Sequence, residues 1–182
     1  MSANSLTRNA RKISDEVWVS NQPVVRVDGL DIAELQALAQ TAPRGRVRLC
    51  AHPDGGDSLH EMFIALRKDS YIRPHRHHGK SESFHVVSGR VDVVFFSDDG
   101  AVTDVVQLEA PGGELPFYYR LAAPLFHTLI IHSDVLVIHE TTNGPFVAED
   151  AEMARWAPDE SDHDAAGKFM DELSCKTGEG IA

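Results

Sequence analysis

The segment PHRHHGKSE, running from Pro74 to Glu82, places histidines at 75, 77 and 78 and follows them with a carboxylate. Alternate side chains of an extended strand share a face, so His75 and His77 point one way while Arg76 and His78 point the other. A turn at Gly79 can bring Glu82 back on a neighbouring strand, facing the same side. Two imidazoles and a carboxylate converging there make a facial set of nitrogen and oxygen donors. Such a set suits a divalent ion of the Zn, Fe, Ni or Mn type and leaves coordination positions for water or substrate. Taken alone, HRHH reads equally well as a hydrated surface loop.

Other residues carry chemistry with less local support. His139 and Glu140 close a β-run, and alternation lets only one of them face inward. Either suits general acid/base work if burial tunes it toward neutrality. Arg73, Lys80, Tyr118, Tyr119 and Arg120 lie beside predicted strands. Cationic and phenolic groups there fit a substrate carrying phosphate or carboxylate, as a sugar nucleotide does, although each singly reads as a solvated group. His52, His60 and Glu61 either line a site or hydrogen-bond at a strand end. His85, three residues after Glu82, falls on the opposite face, which favours packing or an interface. Cys50 reads as a small buried hydrophobe beside His52.

These residues need a scaffold, and the pattern around them is β-rich. Strands are predicted at 47–51, 62–66, 70–75, 84–87, 91–96, 102–108, 115–120, 125–131 and 135–140, with turn signals between them. Asp99-Gly100 marks a two-residue hairpin with positive φ at both central positions. Before them, 17–27 reads as extended. Ile32, Leu35, Leu38 and Ala39 recur at helical spacing, started by Asp31 and ended by Pro43. After Pro145 the pattern predicts a short helix over 149–156, then a partly ordered acidic tail with a helical piece over 168–173. Many short strands without βαβ alternation predict an antiparallel sandwich or barrel.

The net charge of −11 argues against a nucleic-acid partner. It is concentrated at one end: from Ala148 onward ten acidic residues face three basic ones, so the rest of the chain is only mildly acidic. Two distant cysteines make no disulfide framework and match no zinc-ribbon spacing. The chain shows no signal-like h-region and no apolar run of membrane length, so a cytoplasmic protein without a membrane partner is expected.

The spacing H-x-H-x4-E-x6-G, met by His75, His77, Glu82 and Gly89, resembles the first motif of the cupin superfamily. The opening glycine of that motif is replaced by Asp69. The second cupin motif supplies a final histidine from a later strand. Here the resemblance gives that place to His127 in APLFHTLI, with His132 the weaker alternative. Further strings resemble the WbuC-type cupin metalloproteins: RLCAHP at 48–53, HEMFIAL at 60–66, SYIRPHRHHGKSESFHVVSG at 70–89, HETTNGPF at 139–146 and WAP at 156–158. The resemblance implies a cupin fold, a bound metal and an association with surface-polysaccharide genes.

The expectation is therefore a mainly β cupin (jelly-roll-like) antiparallel barrel over 47–147, an N-terminal extension with one helix over 1–46, and a helical, acidic extension over 148–182. His75, His77, Glu82 and His127 would hold the metal. His139 or Glu140 would be catalytic, and Arg73, Lys80, Tyr119 and Arg120 would bind substrate. Three functions fit: a metal-dependent isomerase or epimerase on a small sugar-derived substrate, an Fe(II) dioxygenase, or a non-enzymatic metal-dependent binder of a small molecule. A homodimer is expected, because edge strands need cover.

Overall fold

The computed structural model of the chain describes residues 10–178. Two β-sheets face one another, and a helix backs each from outside. The first sheet has seven strands: β1 (Ala10–Lys12), β2 (Val17–Ser20), β3 (Arg46–Cys50), β4 (Leu59–Arg67), β11 (Val135–Asn143), β6 (Glu82–Ser88) and β9 (Tyr118–Leu121), in that spatial order. The second has five: β12 (Ala151–Met153), β5 (His75–His77), β10 (Phe126–Ile131), β7 (Arg90–Phe96) and β8 (Val102–Glu109). Pairing is antiparallel except between β2 and β3. The fold is mainly β with two sheets, as expected, but the sheets are not closed into a barrel.

Burial follows from the residue pattern. Phe84, Val86, Val93, Phe95, Leu129 and Ile138 meet between the sheets. Behind the first sheet, helix α1 (Gly29–Thr41) packs Leu35 and Ala39 on Val47, Leu49, Ala65 and Val137. Behind the second, helix α2 (His163–Gly178) places Phe169, Met170 and Leu173 against Val94, Phe96, Phe126 and Ile130. Strands β7 and β10 are therefore covered on both faces. This explains their near-continuous apolar runs, which period-2 alternation does not describe.

Several expectations need correction. Helix α1 is capped by Asp28 rather than Asp31. Asp31 instead closes a capping box by accepting from the Asp28 amide at 2.9 Å. The 97–101 turn has positive φ only at Gly100, and the Ser97 amide donates to the Ala101 carbonyl, so it is not a two-residue hairpin. Residues 70–74 do not form strand. Pro74 brings no amide proton to a ladder, and the Ile72 carbonyl accepts from the Thr128 hydroxyl instead. The helix expected over 149–156 is a short 3-10 turn (Ala148–Asp150) followed by β12, which pairs with the otherwise open edge of β5. Within the described part of the acidic tail, His163–Gly178 form α2, because Ala166 and Leu173 find an apolar face to bury against.

Candidate metal centre

Strand register brings the histidines together. His127 of β10 lies directly opposite His75 of β5, and their ring centroids are 4.7 Å apart. His77, two residues along β5, has its ring 4.9 Å from that of His75. One ligand nitrogen from each of the three lies within 4.8 Å of the others. Glu82, first residue of β6, reaches in from the opposing sheet. Its Oε1 is 3.0 Å from His127 Nε2, and its Oε2 is 3.4 Å from His77 Nε2. The loop before Glu82 is held by Asn143, whose Oδ1 accepts from the Ser81 amide at 2.9 Å, and by the Thr142 hydroxyl, which donates to the Ser81 carbonyl at 3.1 Å.

Backbone carbonyls settle the imidazole tautomers. His75 Nδ1 donates to the Arg73 carbonyl and His127 Nδ1 to the Leu125 carbonyl, both at 2.9 Å. A carbonyl only accepts, so Nδ1 carries the proton and Nε2 is left as a lone pair. The contact between His127 Nε2 and Glu82 Oε1 then joins two acceptors, and it needs a proton or a cation between them. The nitrogens of His75, His77 and His127 form a group that could hold a metal ion; Glu82 is not part of that mutual group, although its carboxylate stands beside His77 and His127.

The electrostatics divide the cluster, pushing His75 and His77 toward the neutral form and His127 toward the protonated one. Burial, helped by neighbouring His127, lowers His75 to about 4, which keeps it a neutral donor. Burial likewise lowers His77. Burial acts to raise Glu82, but the hydrogen bond and charge of His127 and the Tyr119 hydroxyl outweigh it, and the group stays ionised. Burial acts against a His127 cation, yet Glu82 wins and the pKa rises.

The cluster lines a cavity of about 520 Å³ between the sheets, with Ile64, Ile72 and Ile138 among its apolar walls. Glu140 lines it too, and burial followed by the nearby Glu82 charge raises its carboxyl to about 7. His139 faces the other way, stacked on Phe63 with centroids 4.6 Å apart, so the structure separates the two catalytic candidates. Arg73 and Lys80 line the cavity. Arg73 is ion-paired to Asp159 at 2.9 Å and Lys80 to Asp150 at 3.2 Å. Tyr119 donates its hydroxyl to Glu82 Oε1 at 2.7 Å. Arg120, in contrast, is exposed and bonds Ser81 outside the cavity. His52 and His60 stack face to face at 4.1 Å along the cavity wall, while His85 stands outside it among Phe117, Tyr118 and His139. His132 pairs with Asp92 at 3.0 Å, away from the cluster.

Sequence reasoning passed over Arg46 and Arg48, which line the cavity. In RVRLC the arginines alternate with Val47 and Leu49. That alternation is a signal, but it reads as solvent outside and core inside. Here the apolar residues pack on α1 and the polar face looks into the cavity.

A family model described as a domain of unknown function (DUF6016) matches residues 27–108, which include His75, His77 and Glu82 but not His127. No curated protein matches the sequence. Among solved structures, a protein of Shewanella oneidensis is similar at 13% identity and a TM-score of 0.46, over 57% of this chain and 66% of that one. The capsular polysaccharide assembling protein CapF of Staphylococcus aureus is similar at 18% identity and a TM-score of 0.46, over 59% of this chain and 31% of that one. An oxalate oxidase in complex with the substrate analogue glycolate is similar at 13% identity and a TM-score of 0.47, over 78% of this chain and 76% of that one. The chain thus spans no more than two thirds of the Shewanella and Staphylococcus proteins.

Proposed function

We propose that the cupin-like sandwich houses a metal-dependent enzyme, with His75, His77, His127 and Glu82 holding a divalent ion and Glu140 moving a proton beside it. The observation that carries this reading is the convergence of three histidine nitrogens within 4.8 Å, next to a buried carboxylate, on the wall of a cavity of about 520 Å³. A bound ion would supply Lewis acidity toward a carbonyl or hydroxyl of the substrate. The chain's own residues do the rest. Tyr119 fixes the Glu82 carboxylate, and the backbone carbonyls of Arg73 and Leu125 fix two imidazoles. The apolar walls limit water. A carboxyl raised to about 7 is near the optimum for taking a proton at neutral pH and returning it. Proton transfer next to a polarised carbonyl is the chemistry of isomerases and epimerases, and a small sugar-derived compound presents the hydroxyl/carbonyl pair this requires.

Elemental analysis of protein purified without chelators, beside a His75→Ala/His77→Ala double variant, tests the centre. Wild type carrying zinc, nickel or manganese, with the double variant empty, supports the reading. Iron accompanied by oxygen uptake would move it to a dioxygenase. Two metal-free proteins would sink it. Incubation with a panel of small sugars and sugar acids in D₂O then tests the chemistry, because proton exchange at carbon leaves deuterium in a substrate. Glu140→Gln is expected to abolish that incorporation while keeping the metal.

A further inference from the structure

Four cationic side chains line the cavity: Arg46, Arg48, Arg73 and Lys80. Three are already engaged by the C-terminal part of the chain. Arg46 pairs with Glu160 at 2.8 Å, Arg73 with Asp159 at 2.9 Å and Lys80 with Asp150 at 3.2 Å. Arg48 differs. Among the described residues its guanidinium has no hydrogen-bond acceptor and no carboxylate within ion-pair distance, and Glu140 acts on it only through longer-range charge. A guanidinium presents five donors in a rigid fork matched to an oxyanion, and among the described residues none of those of Arg48 is committed to another group of the chain. Arg46 and Arg73 point the same way: the buried Nε of each lacks an acceptor although the other nitrogens of each are bonded. This wall is thus rich in donors and short of acceptors.

Register places Arg48 relative to the metal centre. Arg48 pairs with Ile64 on β4, Ile64 with Ile138 on β11, and Ile138 with Val86 on β6. Glu82 starts β6 four residues before Val86, so Arg48 and Glu82 stand three strands and four residues apart on the first sheet, with the histidines facing them from the second. Glu140 lies between them and feels both the Glu82 and the Arg48 charge.

We propose that Arg48 is the anion-binding residue of this cavity, taking a carboxylate or phosphate group at the end of a ligand whose other end reaches the histidine cluster. The assignment rests on the cavity being the substrate site of the proposed enzyme, but it does not require that the metal be present. It narrows the substrate to acidic compounds several bonds long, such as a sugar acid or a sugar phosphate. Lys80 and Arg73 contribute to the field, while Arg48 supplies the hydrogen bonds.

Calorimetric titration of the full chain with inorganic phosphate and, separately, with succinate tests this and tells the two anion classes apart. One of the two is expected to bind at up to tens of millimolar, with Arg48→Gln weakening it by about tenfold or more and Arg48→Lys falling between. Arg48→Gln should keep the wild-type metal content and melting temperature, and Arg120→Gln, outside the cavity, should bind like wild type. The His75→Ala/His77→Ala variant separates the two proposals: if it still binds the anion, Arg48 stands even where the metal reading fails. Neither anion binding wild type, or Arg48→Gln binding both as wild type does, would overturn the assignment.

Discussion

The hydroxyl of Tyr119 donates to Glu82 Oε1 at 2.7 Å, and that same oxygen lies 3.0 Å from Nε2 of His127. One carboxylate oxygen is therefore fixed from the first sheet and offered to the second. Tyr119 holds no reacting group in this arrangement; it sets where Glu82 points. Tyr119→Phe is expected to weaken metal binding by about 10–100-fold, the usual effect of removing a group that orients a ligand. It should also destabilise the metal-free protein by about 1–3 kcal/mol through the unmet carboxylate. Competition titration against a chromophoric chelator reads the first effect and denaturant unfolding the second; unaltered affinity would refute the orienting role.

His75 gives the metal-free protein an acid-sensitive stability. Its pKa is lowered from 6.5 to about 4 by burial and the neighbouring His127. The unfolded chain takes up the proton near 6.5 while the folded chain resists until about 4, so stability falls as the pH drops through that window. His127 has the opposite sign: its raised pKa gives stability that is lost as the pH rises through the folded value. Thermal melts of chelator-treated His75→Gln at stepped pH should show a shallower acid limb than wild type. An identical limb would count against the assignment.

Glu140 acts at the other end of the scale. Burial and the Glu82 charge raise its carboxyl from 4.5 to about 7. The folded chain therefore keeps a proton that the unfolded chain surrenders, and stability is lost as the pH rises between those values. Above pH 7 the metal-free Glu140→Gln protein is expected to exceed wild type by about 1–3 kcal/mol. His139→Ala, on the far face of the strand, should leave this pH dependence in place. If both substitutions behaved alike, Glu140 would not be the buried member of the pair.

Gly100 and Trp156 form a coupled contact at the end of β7. Gly100 has a φ of +90°, and a Cβ added there would meet the Trp156 ring at 2.9 Å. Trp156 in turn packs near Phe96 and Phe126, and its Nε1 donates to the Asp98 carbonyl at 3.1 Å. Gly100→Ala is expected to cost about 1–3 kcal/mol from backbone strain and displacement of the ring. Trp156→Ala should cost about 3–5 kcal/mol. Because the two share one contact, the double variant should lose less than the sum, as a double-mutant cycle by chemical denaturation will show.

Much of the scaffold was legible because its signals are local. The β7 and β10 runs are largely apolar, period 2 in 75–77 aligns His75 with His77, and alternation along β11 separates Glu140 from His139. What was illegible depends on partners distant in sequence. Ala151–Met153 has no strand composition; it pairs because β5 offers an open edge. Arg48 and Arg120 look alike in the sequence, each set in a short β-run, yet one faces the cavity and the other solvent. Tyr119 reads in the sequence as a substrate contact, yet its hydroxyl is bonded to Glu82. In each case the deciding neighbour is supplied by the packing of the two sheets, which no window of sequence contains.

β5 has three residues and shares a single register pair with β10, His75 opposite His127, while all three of its residues pair with β12. The strand bearing two of the proposed metal donors is therefore held mainly by a segment that follows it by some seventy residues. Loss of β12 would do more than loosen the donors. It would bare a histidine-lined edge able to recruit a β-strand from another molecule, so aggregation would follow from the same lesion as loss of the centre. Three residues of the chain's acidic end thus act as chaperone to its most reactive strand.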